Sequence, residues 1–272
     1  MSEKIAASVQ EMAANNENMN VNLEPIALIG TACTFAGGID TPESLWNVLQ
    51  NGIDVGNEIP KERFDMDSFA SHYNLEKPLI RRGYFLNDNN IDHFDPSFFG
   101  ITDGEAMSMD PCHRLLLEKF VHLIEDANYT IEKIIRTRTS VYIGQFTNDH
   151  IATFYRPIID DRTYVHTTNL STYNASARIA YHFNLHGPNI TLDTACSSSL
   201  QAIHLAVQSL RNGEADFAVA GAANLNYTPE NFFAASTIGA LSPDGRSRSF
   251  SENANGYAKG EYELLTFLKM II

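Results

Sequence analysis

The chain of 272 residues is 44% hydrophobic and 19% charged, which excludes a disordered or fibrous protein and leaves room for about one domain. Nineteen Lys and Arg against 33 Asp and Glu give a formal charge of −14, which argues against a sequence-independent nucleic-acid binder and a polybasic membrane anchor. Three widely spaced cysteines, Cys33, Cys112 and Cys196, form no C-x-x-C pair and no disulfide framework, and so point to a reducing compartment, the cytoplasm.

Residues 1–22 are polar and Asn-rich, with no apolar export segment, and read as a disordered tail ahead of a domain over 23–272. Ile26-Ala27-Leu28-Ile29 then reads as a buried strand closed by Gly30. Thr41-Pro42-Glu43 opens a helix ended by Gly52, with Leu45, Trp46, Val48 and Leu49 as its apolar side. Residues 53–100 are turn-rich and read as a surface excursion outside the core. Asp110-Pro111 starts a second helix, whose Leu116, Phe120, Val121, Leu123, Ile124 and Ala127 recur at helical spacing.

Thr139–Phe146 reads as a strand, 172–183 as a helix and Asn189–Asp193 as a buried strand. Ser197–Asn212 is the best helix in the chain, with Leu200, Ile203, Val207 and Leu210 along one face and Gly213 as its stop. Asp216–Leu225 reads as a strand of small residues, and Thr228-Pro229-Glu230 opens a last helix. The alternation predicts α/β layers around a mostly parallel sheet. Glu263–Ile272 is apolar with no turn or polar cap after it. The chain is therefore expected to stop inside a domain; a strand tucked into a sheet is the alternative.

The chemistry concentrates at Asp193-Thr194-Ala195-Cys196-Ser197-Ser198-Ser199-Leu200, where a strand turns straight into the strong helix. Helix N-termini carry unsatisfied N–H groups and partial positive charge, which stabilise a thiolate or an oxyanion. From spacing alone Cys196 reads equally as a nucleophile or as a buried structural thiol. His204 lies two helical turns along and cannot pair with Cys196; it is expected to pack or hydrogen-bond near the sheet. His182 and His186 read as ordinary rather than metal-binding residues, and Cys112-His113 as packing beside a helix cap. No glycine-rich stretch has nucleotide-binding spacing, so no nucleotide site is expected, and His182 and His186 have no obvious third ligand, so no metal is expected.

These blocks together resemble a β-ketoacyl synthase of the polyketide synthase type, and the likeness runs from Glu24 nearly to the end. Gly37-Gly38-Ile39-Asp40-Thr41-Pro42-Glu43-Ser44-Leu45-Trp46 resembles the opening block, with Ala36 in place of the usual proline. Phe98-Phe99-Gly100-Ile101, Met109-Asp110-Pro111 and Arg114-Leu115-Leu116-Leu117-Glu118 resemble the next. Gly187-Pro188 through Leu200 is similar to the active-site block. Leu241-Ser242-Pro243-Asp244-Gly245-Arg246, Ala254-Asn255-Gly256-Tyr257 and Gly260-Glu261 match further, although Tyr262 stands where a glycine usually follows.

The resemblance implies the N-terminal half of a thiolase-like αβαβα layered fold, incomplete at the C-terminus. It implies that Cys196 takes an acyl group from a thioester. That group would be condensed with a malonyl-type extender on an acyl carrier protein, in fatty acid or polyketide synthesis; the resemblance implies no cofactor of the chain's own, since the phosphopantetheine arm belongs to the carrier. It also implies a homodimer through the strand around Asn189–Asp193. The family's two catalytic histidines lie in H-G-T-G-T-like and N-x-G-H-like blocks, and neither block occurs here. The chain is accordingly expected to be inactive alone, the alternative being a non-catalytic dimerising or carrier-binding module.

Overall fold

The computed structural model describes residues 24–74, 80–87, 91, 93–146, 148–155 and 167–271; the Asn-rich tail expected over 1–22 lies outside them. In chain order the elements are β1 (Ile26–Phe35), α1 (Pro42–Gln50), β2 (Asn57–Glu58), α2 (Met66–His72), β3 (Arg82–Gly83), α3 (Asp103–Ser108), α4 (Pro111–Asp126) and α5 (Ile131–Ile134). Then follow β4 (Thr139–Gly144), α6 (Asp149–Tyr155), α7 (Asn174–His182), β5 (Asn189–Leu192), α8 (Ser198–Arg211), β6 (Phe217–Asn224), α9 (Pro229–Thr237) and β7 (Tyr262–Met270).

Five strands form one sheet in the order β1-β7-β6-β4-β5, and β2 pairs with β3 apart from it. β4 pairs in parallel with both β5 and β6, whereas β7 runs antiparallel to β6 and to β1. The sheet is thus mixed rather than mostly parallel. The apolar run at the end of the chain is the tucked strand: β7 has a partner on each side, and Leu265 and Phe267 are fully buried.

Helices cover both faces of this sheet. On one, α4 and α7 bury Leu116, Phe120, Leu123, Ile124 and Ile179 against Val141, Ile143, Val219, Leu265 and Phe267. On the other, α8 packs Ala202, Ala206 and Leu210 on Tyr142, Ala218, Ala220 and Leu268. All six residues of β4 are buried because both its faces are covered. Each large apolar side chain buried here contributes about 1.5–3 kcal/mol.

Four expectations are corrected. None of the residues of α1 is buried, and Trp46 and Leu49 stand exposed, although Thr41 and Ser44 cap the helix as its sequence suggests. The stretch 53–100 is no mere excursion. Phe85 and Ile80 join Phe232 and Leu241 in a separate aromatic core, and Leu86 and Ile91 enter the main one. β5 is a half-open edge strand, with Ile190 exposed. The expected apolar stripe of α8 faces the sheet only in part: Leu210 is buried and Ile203 and Val207 pack half-buried against that core, but Leu200 is 70% exposed, and the small residues Ala202 and Ala206 make the central contact. Small residues win there because the helix sits close. A Cβ added at Gly144 would come within 2.6 Å of the Ser198 Cβ.

Candidate active site

Cys196 sits where the chain leaves the C-terminal end of β5 and enters α8, beside the C-terminal ends of the parallel strands β4 and β6. Open α/β sheets present ligand sites at that end. A short 3-10 turn, Ala195–Ser197, intervenes, and Ala195 takes φ +55°, the left-handed region that costs a non-glycine residue about 1–2 kcal/mol. The turn is held by its own polar groups. Asp193 Oδ1 accepts from the Ala195 N–H at 2.8 Å. Ser198 Oγ accepts from the Thr194 N–H at 2.8 Å and donates to the Ala195 carbonyl at 2.7 Å. Ser197 Oγ donates to the Thr194 carbonyl at 2.8 Å.

That turn points the thiol outward. Cys196 is exposed, whereas Cys33 and Cys112 are buried, at 2% and 4% exposure. Ser197, the N-cap of α8, makes no side-chain cap bond, so its hydroxyl does not compete for the first-turn N–H groups of the helix. The arrangement offers a nucleophile beside amide donors, which suits attack on a thioester carbonyl and stabilisation of the oxyanion that forms.

Two tyrosines flank the thiol, and the sequence alone did not single out their role. The phenols of Tyr257 and Tyr262 are both pushed up, first by burial and then by the negative charge of a Cys196 thiolate. Tyr262 stacks on Phe35 at 6.5 Å and 14°. Its departure from glycine is the one visible signal that could have drawn attention to it.

Three acidic side chains, Asp110, Glu261 and Asp149, tie distant segments of the chain together. Asp110 caps α4 by accepting from the Cys112 N–H at 2.8 Å, and accepts as well from Gln145 Nε2 at 3.1 Å and the Tyr227 hydroxyl at 3.2 Å. Gln145 in turn meets His113 at 3.3 Å, and burial holds that imidazole below its usual range. Glu261, buried, meets Arg63 at 3.4 Å and accepts from the Leu86 and Asn226 N–H groups at 2.8 Å each. Asp149 gathers the Tyr227 and Thr228 N–H groups, both at 3.1 Å, and the Asn231 amide.

His150 bonds the Ser108 carbonyl at 2.9 Å, and His186 is an exposed turn residue. His204 is exposed on α8 rather than packed near the sheet, a correction that follows from the small-residue face of α8 taking the sheet contact. Among the described residues no group of three or more His, Cys, Asp or Glu could hold a metal ion.

Comparison with known proteins agrees with this geometry. The family profile described as β-ketoacyl synthase, N-terminal domain, matches residues 23–262. The chain is 44% identical over 253 residues to the polyketide synthase component of the lovastatin nonaketide synthase of Aspergillus terreus, covering 91% of this chain and 8% of that one. It is 44% identical over 250 residues to the fusarielin synthase of Gibberella zeae, covering 90% and 9%. Among solved structures, the ketosynthase from module 6 of the bacillaene synthase of Bacillus subtilis superposes with a TM-score of 0.78 at 34% identity, covering 90% of this chain and 40% of that one. An oxazolomycin ketosynthase domain of Streptomyces albus gives 0.79 at 32%, covering 90% and 42%. The chain thus spans under a tenth of these curated relatives and about two fifths of the ketosynthase structures, and its α/β/α layers are part of their thiolase-like fold. A cysteine turn at the head of a central helix, a mixed five-stranded sheet and a profile match over nearly the whole chain lead to one conclusion: this chain belongs to the β-ketoacyl synthase family and carries its N-terminal domain.

Proposed function

We propose that residues 23–272 supply the nucleophile half of a polyketide or fatty-acid type ketosynthase, with Cys196 accepting the acyl group. The observation that carries this reading is the exposed thiol on a left-handed turn at the start of α8, the one exposed cysteine of the three. The acyl carbon forms a bond to the Cys196 sulfur, and its bond to the donor sulfur breaks. The electron pair leaves on the donor thiolate, which takes up the proton Cys196 gave to solvent. A malonyl-type extender on the phosphopantetheine arm of an acyl carrier protein is the second substrate. A homodimer through the edge strand β5 and a cytoplasmic setting complete the proposal. No described helix is long and apolar enough to cross a membrane.

Condensation asks for more than the thiol. Decarboxylation builds negative charge on the thioester, and the two histidine blocks that resemblance assigns to that charge do not occur in these 272 residues. Each missing electrostatic stabiliser costs roughly 10²–10³ in rate. The test is peptide mapping of the folded chain after limiting iodoacetamide and after an acetyl thioester, followed by assay with a carrier-bound malonyl group. Cys196 is expected to be labelled by both reagents ahead of Cys33 and Cys112, with no condensation product. Labelling of Cys33 or Cys112 first, or robust condensation, contradicts this reading.

A further inference from the structure

We infer that the cavity between α4, the end of β1 and residues 93–99 is a binding site for a small organic cation, a charged nitrogen head on a short apolar body. It lies on the face of the sheet opposite α8 and does not depend on the role of Cys196.

The cavity measures about 520 Å³, within the range of small-molecule sites. β1 contributes Thr34 to its wall, and α4 contributes Leu115 and Glu118, one helical turn apart. Phe98, 57% exposed, adds an aromatic ring braced edge-on by Phe99 at 4.9 Å. Three carboxyls, those of Asp40, Asp95 and Glu118, line the cavity against one lysine, Lys119. Lys119 Nζ meets His122 Nδ1 at 3.5 Å. Burial and the Lys119 charge hold the His122 imidazole below its usual range, so it adds little positive charge at neutral pH.

A second observation singles out Glu118 among these acids. Leu265 and Phe267 pack in the core that α4 covers, and alternation puts Glu263 on that same face of β7. Its register partner is Thr34, and its carboxyl feels the charges of Lys119 and Glu118; all three of these residues line the cavity. Glu263 is fully buried behind them, and neither of its oxygens has a hydrogen-bond partner. Two carboxyls thus lie close together, half-buried Glu118 and buried Glu263, and burial pushes both up. A cation seated on Glu118 favours its charged form directly and acts on Glu263 through the wall. The apolar body then lies against Phe98 and Leu115, where an aromatic face also attracts the positive head. A metal ion does not suit the site: among the described residues no three His, Cys, Asp or Glu could hold one.

The experiment titrates the full chain with butylguanidinium chloride by calorimetry at pH 8. Butylurea, of similar shape and uncharged, is the control. Butylguanidinium is expected to bind once per chain, roughly tenfold or more tighter than butylurea, the scale of one charge-assisted hydrogen bond. Glu118→Gln keeps the side-chain volume and is expected to remove that preference while leaving butylurea unchanged. Thr34→Arg sends a guanidinium of the chain's own into the cavity from β1. It is expected to block butylguanidinium and to raise the melting temperature; if that variant does not fold, Glu118→Gln decides. Equal affinity for the two probes, no binding of either, or native butylguanidinium affinity in Glu118→Gln overturns the inference. Displacement of bound butylguanidinium by an equal concentration of calcium chloride overturns the choice of an organic cation.

Discussion

Glu263 is fully buried on β7, and neither of its carboxylate oxygens has a hydrogen-bond partner. It lies opposite Thr34 in register, on the face packed by α4, where Glu118 and Lys119 are the charges nearest to it. Burial pushes its carboxyl well above the usual range, and burial likewise pushes Glu118 up to about 7. The folded chain therefore keeps protons that the unfolded chain releases from about pH 4.5 upward. The stability these groups provide is complete below that pH and is lost as pH rises through 7. Glu263→Leu removes the buried carboxyl at similar volume. It is expected to stabilise the chain by about 1–3 kcal/mol and to flatten the loss towards alkaline pH. Thermal melts near pH 5 and pH 8 check this; a melting temperature that drops at both contradicts it. No pattern in the sequence marks Glu263 as buried, because its neighbours Leu264 and Leu265 make the run apolar whichever face they take.

At the scale of the element, α8 and β4 meet with almost no space between them. Gly144→Ala places a methyl 2.6 Å from the Ser198 Cβ and 2.9 Å from its carbonyl carbon, so the start of α8 must lift. The expected cost is about 1–3 kcal/mol, with slower alkylation of Cys196 because its turn shifts with the helix. Denaturant melts and iodoacetamide kinetics measure the two; a normal melt with native labelling rate counts against the close contact. The helix itself was plain in the sequence, and so were β4, β6 and the cap at Thr41. The inward face of α8 was legible only in part: Leu210, Ile203 and Val207 do meet the core, but Leu200 does not, and Ala202, Ala206 and Ser209 sit deepest because the close approach selects for size. The same gap hid the aromatic core of Phe85 and Phe232. Their residues are far apart in sequence, and a turn-rich composition says nothing of what folds over it. That Cys196 sits at a strand-to-helix turn was legible because strand, cysteine and helix adjoin, whereas its exposure was not; the partners of Tyr262 needed the sheet register.

Over the whole molecule, large apolar side chains remain uncovered, on the sheet as well as around it. Leu28, Leu200, Ile238 and Phe250 are all more than half exposed, and among the described residues β5 is an edge strand without a partner on its outer side, with Ile190 exposed upon it. Open apolar edges recruit other chains. The 272-residue chain is expected to self-associate, and Ile190→Lys, a charge on the edge strand, to reduce the associated fraction several-fold. Size-exclusion chromatography with light scattering reads the outcome. A monodisperse monomer melting sharply above about 60 °C, the upper range for mesophile domains, contradicts it.

The place of β7 between β1 and β6 also sets an order of events on the ribosome. Phe35 is made early and Tyr262 late, yet they are partners. At about 5–20 residues per second, β1 waits roughly ten to fifty seconds for the strand that completes its ladder. Until then β1 and β6 both present bare backbone edges to whatever is nearby, and the sheet cannot close from its N-terminal end. A nascent chain halted before β7 emerges is thus a ready substrate for chaperones that bind extended apolar segments.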